Sequence, residues 1–256
     1  MKKIALLGSD IGYTRSPEIH SAISSAVGVR FECVAADVCS GDLTAAVREL
    51  LDGYVGFFVT KPYKNDIKKL IGCNAPGAVN VVRSCDKKAI NTDGAGFMLA
   101  LDRDFSGWRD RVNGALVLGA GGAAWAAVTS LAAAGIKTYV LARSSVRAAK
   151  LCAQTGARLY ANQPVELCVN CTSAGRDDDV LMRLCVIPQF EYAYEMYYAA
   201  ESTPFTERAA HAGAKTATGE SMLIYQAIEG DKFLFGMDEE TEKIFERVKT
   251  SLARRI

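Results

Sequence analysis

Short apolar runs alternate with stretches of helical apolar spacing along the whole chain. Ile4-Ala-Leu-Leu7 is a compact apolar run closed by Gly8, and it predicts a buried strand over residues 3–7. Ser16-Pro17 then opens a helix, with Ser16 as the cap and Pro17 at the first helical position. A strand is expected over residues 30–38. Leu43, Val47, Leu50 and Leu51 share one helical face, which predicts a helix over 40–51. A strand over 54–59, a short helix after Pro62 and small strands over 79–83 and 88–90 follow. This β-α-β-α-β opening of roughly one hundred residues implies a mostly parallel sheet.

A helix over 94–105 leads into Ser106-Gly-Trp-Arg-Asp-Arg-Val-Asn-Gly114, a polar, glycine-containing segment that is a candidate domain boundary. A second alternation then begins: strand 116–118, helix 123–134, strand 138–141, helix 144–154, and strands over 167–171 and 192–197. That order is expected of a doubly wound, Rossmann-type nucleotide-binding unit. Helices over 204–212, 220–229 and 239–254 close the chain, the last with Ile244, Val248 and Leu252 as an apolar stripe. The expected fold is therefore α/β with two domains, an N-terminal α/β domain with a mostly parallel sheet and a Rossmann-type domain.

Composition narrows the function classes. Of 256 residues, 50% are hydrophobic and 23% charged, an ordinary globular balance. Net charge is +1 and no Lys/Arg run exceeds two residues, so the basic stripe that nucleic-acid binding needs is missing. The apolar run at residues 4–7 is too short for the core of a signal peptide. No apolar stretch approaches the ~20 residues of a membrane span. Eight cysteines without an export signal imply reduced thiols and a cytoplasmic location. Cys168-Val-Asn-Cys171 has C-x-x-C spacing, but on a strand residues three apart point to opposite faces and cannot share a metal. No metal site is expected. His20 and His211 lie far apart on expected helices, and structural or solvent-facing roles are expected of both.

The chemistry-bearing signals follow. Leu118-Gly-Ala-Gly-Gly-Ala-Ala124 sits between an expected strand and an alanine-rich helix, the context that a dinucleotide fingerprint requires. Gly119 permits the tight turn, Gly121 lets backbone amides approach a pyrophosphate, and Ala124 allows close helix–strand packing. Ala120, Gly122 and Ala123 complete the loop. The next strand ends Leu141-Ala-Arg-Ser-Ser145 with no carboxylate to hold a ribose 2′-hydroxyl, whereas Arg143, Ser144 and Arg147 suit a 2′-phosphate. NADP is thus expected rather than NAD. Lys64, in Thr60-Lys-Pro-Tyr-Lys64, and Asp93, in Asn91-Thr-Asp-Gly94, supply a candidate proton donor and partner carboxylate for redox at an alcohol carbon.

These motifs, in this order, make the chain resemble the shikimate dehydrogenase family over nearly its whole length. The resemblance rests on Gly12-Tyr-Thr-Arg-Ser-Pro-Glu-Ile-His20, Val59-Thr-Lys-Pro-Tyr-Lys64, Ala78-Val-Asn-Val81 and Asn91-Thr-Asp-Gly-Ala-Gly96. In the second half it rests on Gly119–Ala124, Ala142-Arg-Ser144, the turn from Asn170 to Gly175, Glu195-Met-Tyr-Tyr198 with Thr203-Pro204, and Gly219-Glu-Ser-Met-Leu-Ile-Tyr-Gln-Ala227. The resemblance implies NADPH-dependent reduction of 3-dehydroshikimate to shikimate, in aromatic amino-acid and chorismate biosynthesis. It implies that Thr14 and Ser16 hold the substrate carboxylate, and that Thr60, Asn80, Asp93 and Gln226 bind ring hydroxyls with Tyr198 nearby. Lys64 paired with Asp93 would handle the proton, and Thr172 and Gly219 would join the cofactor site. Residues 1–97 with 222–256 would be the substrate-binding domain and residues 98–221 the NADP-binding domain, with the C-terminal helices bracing the former. A monomer or homodimer acting on a small molecule is expected.

The chain departs from the family pattern at several places. Thr14 stands where Ser is usual, Tyr13 for His, Val81 for Thr, Ala142 for Asn, Arg176 for Met and Glu195 for Asp. The carboxylate-side changes leave a quinate/shikimate or aminoshikimate-type dehydrogenase as an alternative. A catalytically silent nucleotide-binding regulator of the same fold is a further alternative, against which the presence of both Lys64 and Asp93 argues.

Overall fold

The computed structural model describes residues 1–74, 77–172, 190–198 and 202–254. These form two compact units, one of Met1–Thr92 with Ile224–Ile256 and one of Asp93–Leu223. The breaks fall at 92/93 and 223/224, beside the expected 97/98 and 221/222. The polar segment 106–114, expected as a boundary, lies inside the second unit. It is pinned there because Trp108 is buried, with its Nε1–H donating to Asp102 at 2.8 Å.

The first unit is built on β1 (Lys2–Gly8), β2 (Phe31–Asp37), β3 (Gly56–Val59), β4 (Val81–Arg83) and β5 (Ala89–Ile90), in the order β2-β1-β3-β4-β5. The pairs β1–β2 and β1–β3 are parallel, and the β3–β4 and β4–β5 pairs are antiparallel. Helices α1 (Ser16–Val27), α2 (Leu43–Gly53) and α3 (Asp66–Ile71) connect the strands. The helix expected from residue 40 starts as a 3-10 turn, Ser40–Asp42, before α2. On one face of the sheet Val47 and Leu50 of α2 and Ile67 of α3 bury against Ala5, Leu7, Phe57 and Val59. Burial of each such side chain stabilises by about 1.5–3 kcal/mol.

The second unit carries α4 (Asp93–Asp104), β6 (Gly114–Leu118), α5 (Gly122–Ala133), β7 (Lys137–Leu141), α6 (Ser145–Thr155), β8 (Arg158–Leu159), β9 (Leu167–Asn170), β10 (Tyr192–Glu195), α7 (Pro204–His211) and β11 (Lys215–Thr218). Its strands run β11-β10-β9-β6-β7-β8, and every pair is parallel. Read from β8, this is the doubly wound order that reverses direction beside β6. β6, β9 and β10 are buried throughout, as expected of parallel strands covered on both faces.

The unit break at 223/224 falls within helix α8 (Glu220–Phe235), and α9 (Thr241–Ala253) packs on α1 and buries Ile244, Phe245, Val248 and Leu252. Sequence patterning ends α8 at residue 229, ahead of Gly230-Asp231, a pair that suits a helix stop. The helix continues because both residues have buried tertiary partners, described below.

Candidate active site

In the first unit the expected substrate residues come from four places in the chain. Asn80 heads β4 with its backbone fixed from both sides, its carbonyl accepting from Val59 (2.7 Å) and its N–H donating to Ile90 (3.0 Å). Its side chain accepts from the Thr92 backbone N–H (2.8 Å) and donates to Thr92 Oγ1 (3.0 Å) and Gln226 Oε1 (3.4 Å). Thr92 Oγ1 in turn donates to the Gln226 carbonyl at 2.9 Å. Asn80, Thr92 and Gln226 thus form one hydrogen-bonded group with Asn80 and Thr92 buried. Thr92 was not singled out in the sequence, although it precedes Asp93 directly.

Lys64 is held close to this group through its backbone, because its carbonyl accepts from Val79 N–H at 3.3 Å and Val79 precedes Asn80. The turn before it contains a cis Lys61–Pro62 bond, and the buried Tyr63 anchors it by donating from its hydroxyl to the Val38 carbonyl at 2.6 Å. Thr60 is half-buried at the end of β3, with its N–H donating to Leu7 at 2.8 Å. Asp93 is buried at the start of α4, immediately after Thr92.

Thr14 and Ser16 lie together. Thr14 Oγ1 donates to Ser16 Oγ at 3.2 Å and accepts the Ser16 N–H at 3.2 Å. Ser16 is therefore the first residue of α1 rather than its cap, a correction to the sequence reading; Arg15 holds the cap position and makes no side-chain cap bond. With Thr14 donating to it, the Ser16 hydroxyl is oriented to give its own proton outward, as carboxylate recognition requires. Tyr13 is half exposed, and Val81, another departure from the family pattern, is fully buried in β4. Its missing hydroxyl is thus a matter of core packing.

In the second unit the fingerprint loop leaves β6 as expected. Gly119 has φ 113°, and a Cβ there would lie 3.2 Å from the Cys171 carbonyl and 3.3 Å from Thr172 Cγ2. Only glycine fits this turn without strain. Gly121, Gly122 and Ala123 are exposed, with open space where Cβ atoms would stand at the two glycines, and no side chain caps α5. The first-turn amides of α5 are therefore available to an anion. Ala120 is half-buried. Beyond β7, Arg143 and Arg147 are exposed, and Ser144 caps α6 by accepting the Arg147 N–H at 3.3 Å. A diphosphate with a 2′-phosphate fits this donor set: open amides on one loop and two guanidinium groups on the next.

Thr172 lies in the turn beside Gly119, with its N–H (3.1 Å) and hydroxyl (2.7 Å) both donating to Asn170 Oδ1. Asn170 Nδ2 donates to Glu195 Oε2 at 2.7 Å, and the Tyr197 N–H donates to Glu195 Oε1 at 3.0 Å. Glu195 has no exposed surface, and burial, partly offset by these hydrogen bonds, pushes its carboxyl from the usual 4.5 up to about 7. Tyr198 stacks on Tyr197 with ring centroids 5.7 Å apart. Gly219 donates to the Tyr197 carbonyl at 3.1 Å and has no room for a Cβ, which would meet the Met196 carbonyl. Gly175 and Arg176, parts of the expected motif, lie outside the described residues. Cys168 and Cys171 are held as thiols, since burial raises both well above the ordinary range.

The chain matches a family model described as the shikimate dehydrogenase substrate binding domain over residues 6–82. It is 32% identical over 280 residues to the shikimate dehydrogenase (NADP(+)) of Brucella abortus strain S19, covering 99% of this chain and 96% of that one. The chain belongs to the shikimate dehydrogenase family. The family enzyme of Moorella thermoacetica is 33% identical over 250 residues, with 87% of this chain and 84% of that one covered. Among solved structures, the shikimate 5-dehydrogenase of Thermus thermophilus in complex with NADP(H) and shikimate superposes with a TM-score of 0.86 at 26% identity, covering 98% of this chain and 99% of that one. The Aquifex aeolicus shikimate dehydrogenase gives 0.82 at 26% identity, over 97% of each chain.

Within this family member, two buried features went unseen in the sequence. One is the Glu195 network. The other is the contact of His20 with Asp231, whose Nδ1 and Oδ2 lie 2.7 Å apart with 1% and 0% exposure. His20, for which the sequence suggests a structural or solvent-facing role, is buried and paired. His211 is exposed, with its ring Nδ1 2.7 Å from the Glu207 carbonyl. Among the described residues no cluster of three or more His, Cys, Asp or Glu could hold a metal, and no helix is long and apolar enough to cross a membrane.

Proposed function

We propose that this chain is an NADP-dependent shikimate dehydrogenase that works as a reductase of 3-dehydroshikimate. The observation that carries the reading is the Asn80–Thr92–Gln226 group. It gathers neutral donors and acceptors suited to ring hydroxyls, and the chain leads from it directly to Asp93 and, through Val79, to Lys64. Thr14 and Ser16 would bind the carboxylate, and Thr60, Asp93 and Tyr198 further parts of the ring substituents.

Lys64 exchanges the hydroxyl proton as the carbonyl carbon changes oxidation state, with Asp93 as the partner carboxylate that would hold the same hydroxyl. NADP, when bound, supplies or accepts the hydride. Gly119, Ala120, Gly121, Gly122 and Ala123 would receive its diphosphate, Arg143, Ser144 and Arg147 its 2′-phosphate, and Thr172 and Gly219 its other end. Ser144 can serve only through its remaining proton, since its oxygen already caps α6.

Initial rates of NADP⁺ reduction with shikimate and with quinate test the reading. Turnover of shikimate with NADP⁺ well above that with quinate is expected, and no turnover of either acid would overturn it. Lys64→Ala should lower kcat by about 10²–10⁴-fold at nearly unchanged KM. A raised KM with normal kcat would leave Lys64 as a binding residue only.

A further inference from the structure

We propose that His20 and Asp231 form a buried positioning pair that sets Ser16 and Gln226 for substrate binding. The inference rests on the functional reading above, and it assigns a task to two residues that do not themselves touch the substrate.

The pair is physically costly. Both side chains are essentially without exposed surface, and burial pushes the Asp231 carboxyl upward, with His20 drawing it back down. Taking a carboxylate out of water costs several kcal/mol, and two well-packed apolar side chains in such a place stabilise a fold as well or better. Each partner has only one use for its polarity. His20 Nε2 and Asp231 Oδ1 have no hydrogen-bond partner among the described residues, so the 2.7 Å contact is what holds the two groups. Stability alone is therefore a poor account of why these residues stand there.

Their position supplies a better one. His20 lies one turn beyond Ser16 on α1, on the same helical face. Asp231 lies five residues, about 1.4 turns, beyond Gln226 on the same helix, α8, so that fixing Asp231 sets the rotation and depth of the helix that carries Gln226. Phe58, on β3 just before Thr60, packs against the His20 ring with centroids 4.4 Å apart. Gly230, next to Asp231, leaves room for that same Phe58 ring, because a Cβ there would lie 2.3 Å from it. Three elements bearing Ser16, Thr60 and Gln226 thus meet at one buried contact. The further titratable group beside it is Cys33 on β2, whose thiol is pushed up by burial and by the Asp231 charge. A hydrogen bond fixes distance and direction between α1 and α8, which apolar packing of similar volume does not.

The test separates positioning from mere stability. In His20→Leu/Asp231→Leu, chemical denaturation should show stability near wild type, because no charge is left buried alone. Its KM for shikimate should nevertheless rise about tenfold or more, with kcat within about threefold and KM for NADP⁺ within about twofold. Asp231→Asn keeps an acceptor for the His20 N–H and should hold KM for shikimate within about twofold of wild type. A folded double variant with wild-type KM for shikimate, or an Asp231→Asn as impaired as the double variant, would overturn the proposal. Should the double variant fail to fold, His20→Ala, which leaves no side-chain group to reach Asp231, is read by the same KM criteria at a temperature where it is folded. Wild-type turnover of shikimate is measured first, and its absence would count against the functional reading. Amide hydrogen exchange over residues 15–20 and 224–231 then decides the pairing without turnover. Exchange in both segments should quicken about tenfold or more in the double variant, and unchanged exchange would sink it.

Discussion

Glu195 shows how one buried carboxyl can make the nucleotide half of the molecule pH-sensitive. Its folded value near 7 exceeds the usual 4.5, so between those pH values the folded state holds a proton that the unfolded chain has released. Stability therefore falls as pH rises through this window, and the cost is absent below about 4.5 and complete above about 7. A shift of this size corresponds to about 3 kcal/mol. Urea unfolding at pH 5 and pH 8 should show wild type losing about that much relative to Glu195→Gln, which has nothing to titrate there. Parallel pH dependence of the two proteins would mean that Glu195 is ionised throughout. The arginines after β7 give a second prediction at this scale. Arg143→Ala should raise KM for NADPH about tenfold or more while leaving KM for NADH nearly unchanged, because only NADPH carries the 2′-phosphate. Equal effects on both would remove Arg143 from that role. Lys64, Asp93 and Arg143 stand out in the sequence as candidates because their neighbours along the chain mark them. The burial of Asp231 and of Glu195 was not legible there, although Glu195 stands in a motif, since it is set by segments far away in sequence.

The elements that carry the site are specified by local chemistry at some ends and by packing at others. The β6–α5 turn is local: a positive φ at Gly119 and open amides after it follow from the glycine pattern itself. Gly119→Ala combines an unfavourable backbone conformation, costing about 1–2 kcal/mol, with a tight approach to the Cys171 carbonyl. It should raise KM for NADP⁺ about tenfold while KM for shikimate stays near wild type, as initial rates varied in each substrate would reveal. The short strands β8 and β11 were missed in the sequence because Arg158-Leu159 and Lys215-Thr-Ala-Thr218 carry no apolar run, and they exist by pairing with β7 and β10. The length of α8 was missed for the opposite reason. Gly230 and Asp231 are poor helix residues taken alone, and Phe58 and His20 supply the packing and the hydrogen bond that keep them helical.

At the scale of the molecule, the last helix belongs with the first residues. Phe245 is fully buried and stacks on Tyr225 with ring centroids 4.1 Å apart, in the α9 that covers α1. Phe245→Ala should cost about 3–5 kcal/mol in chemical denaturation. Amide exchange should quicken in α1, more than two hundred residues away in the chain, together with α9. Loss of protection confined to α9 would mean that this helix is an appendage and α1 stands without it. The same long-range assembly explains why the polar segment after α4 misled as a boundary. Its composition suits a linker, but Trp108 turns inward and ties it to α4.

The sequence by itself determined the two α/β alternations, the glycine turn, the missing acidic partner for a ribose 2′-hydroxyl, and the ordered motifs that hold Lys64, Asp93, Asn80 and Gln226. Each is a matter of residue type at short spacing, where backbone geometry leaves few choices. Tertiary structure alone decided that Thr92 ties Asn80 to Gln226, that Val81 is core, and that the unit breaks fall at 92/93 and 223/224. It alone decided that a histidine and an aspartate more than two hundred residues apart share one buried hydrogen bond. Burial and the protonation it governs depend on what the rest of the chain brings alongside, and no local pattern encodes that.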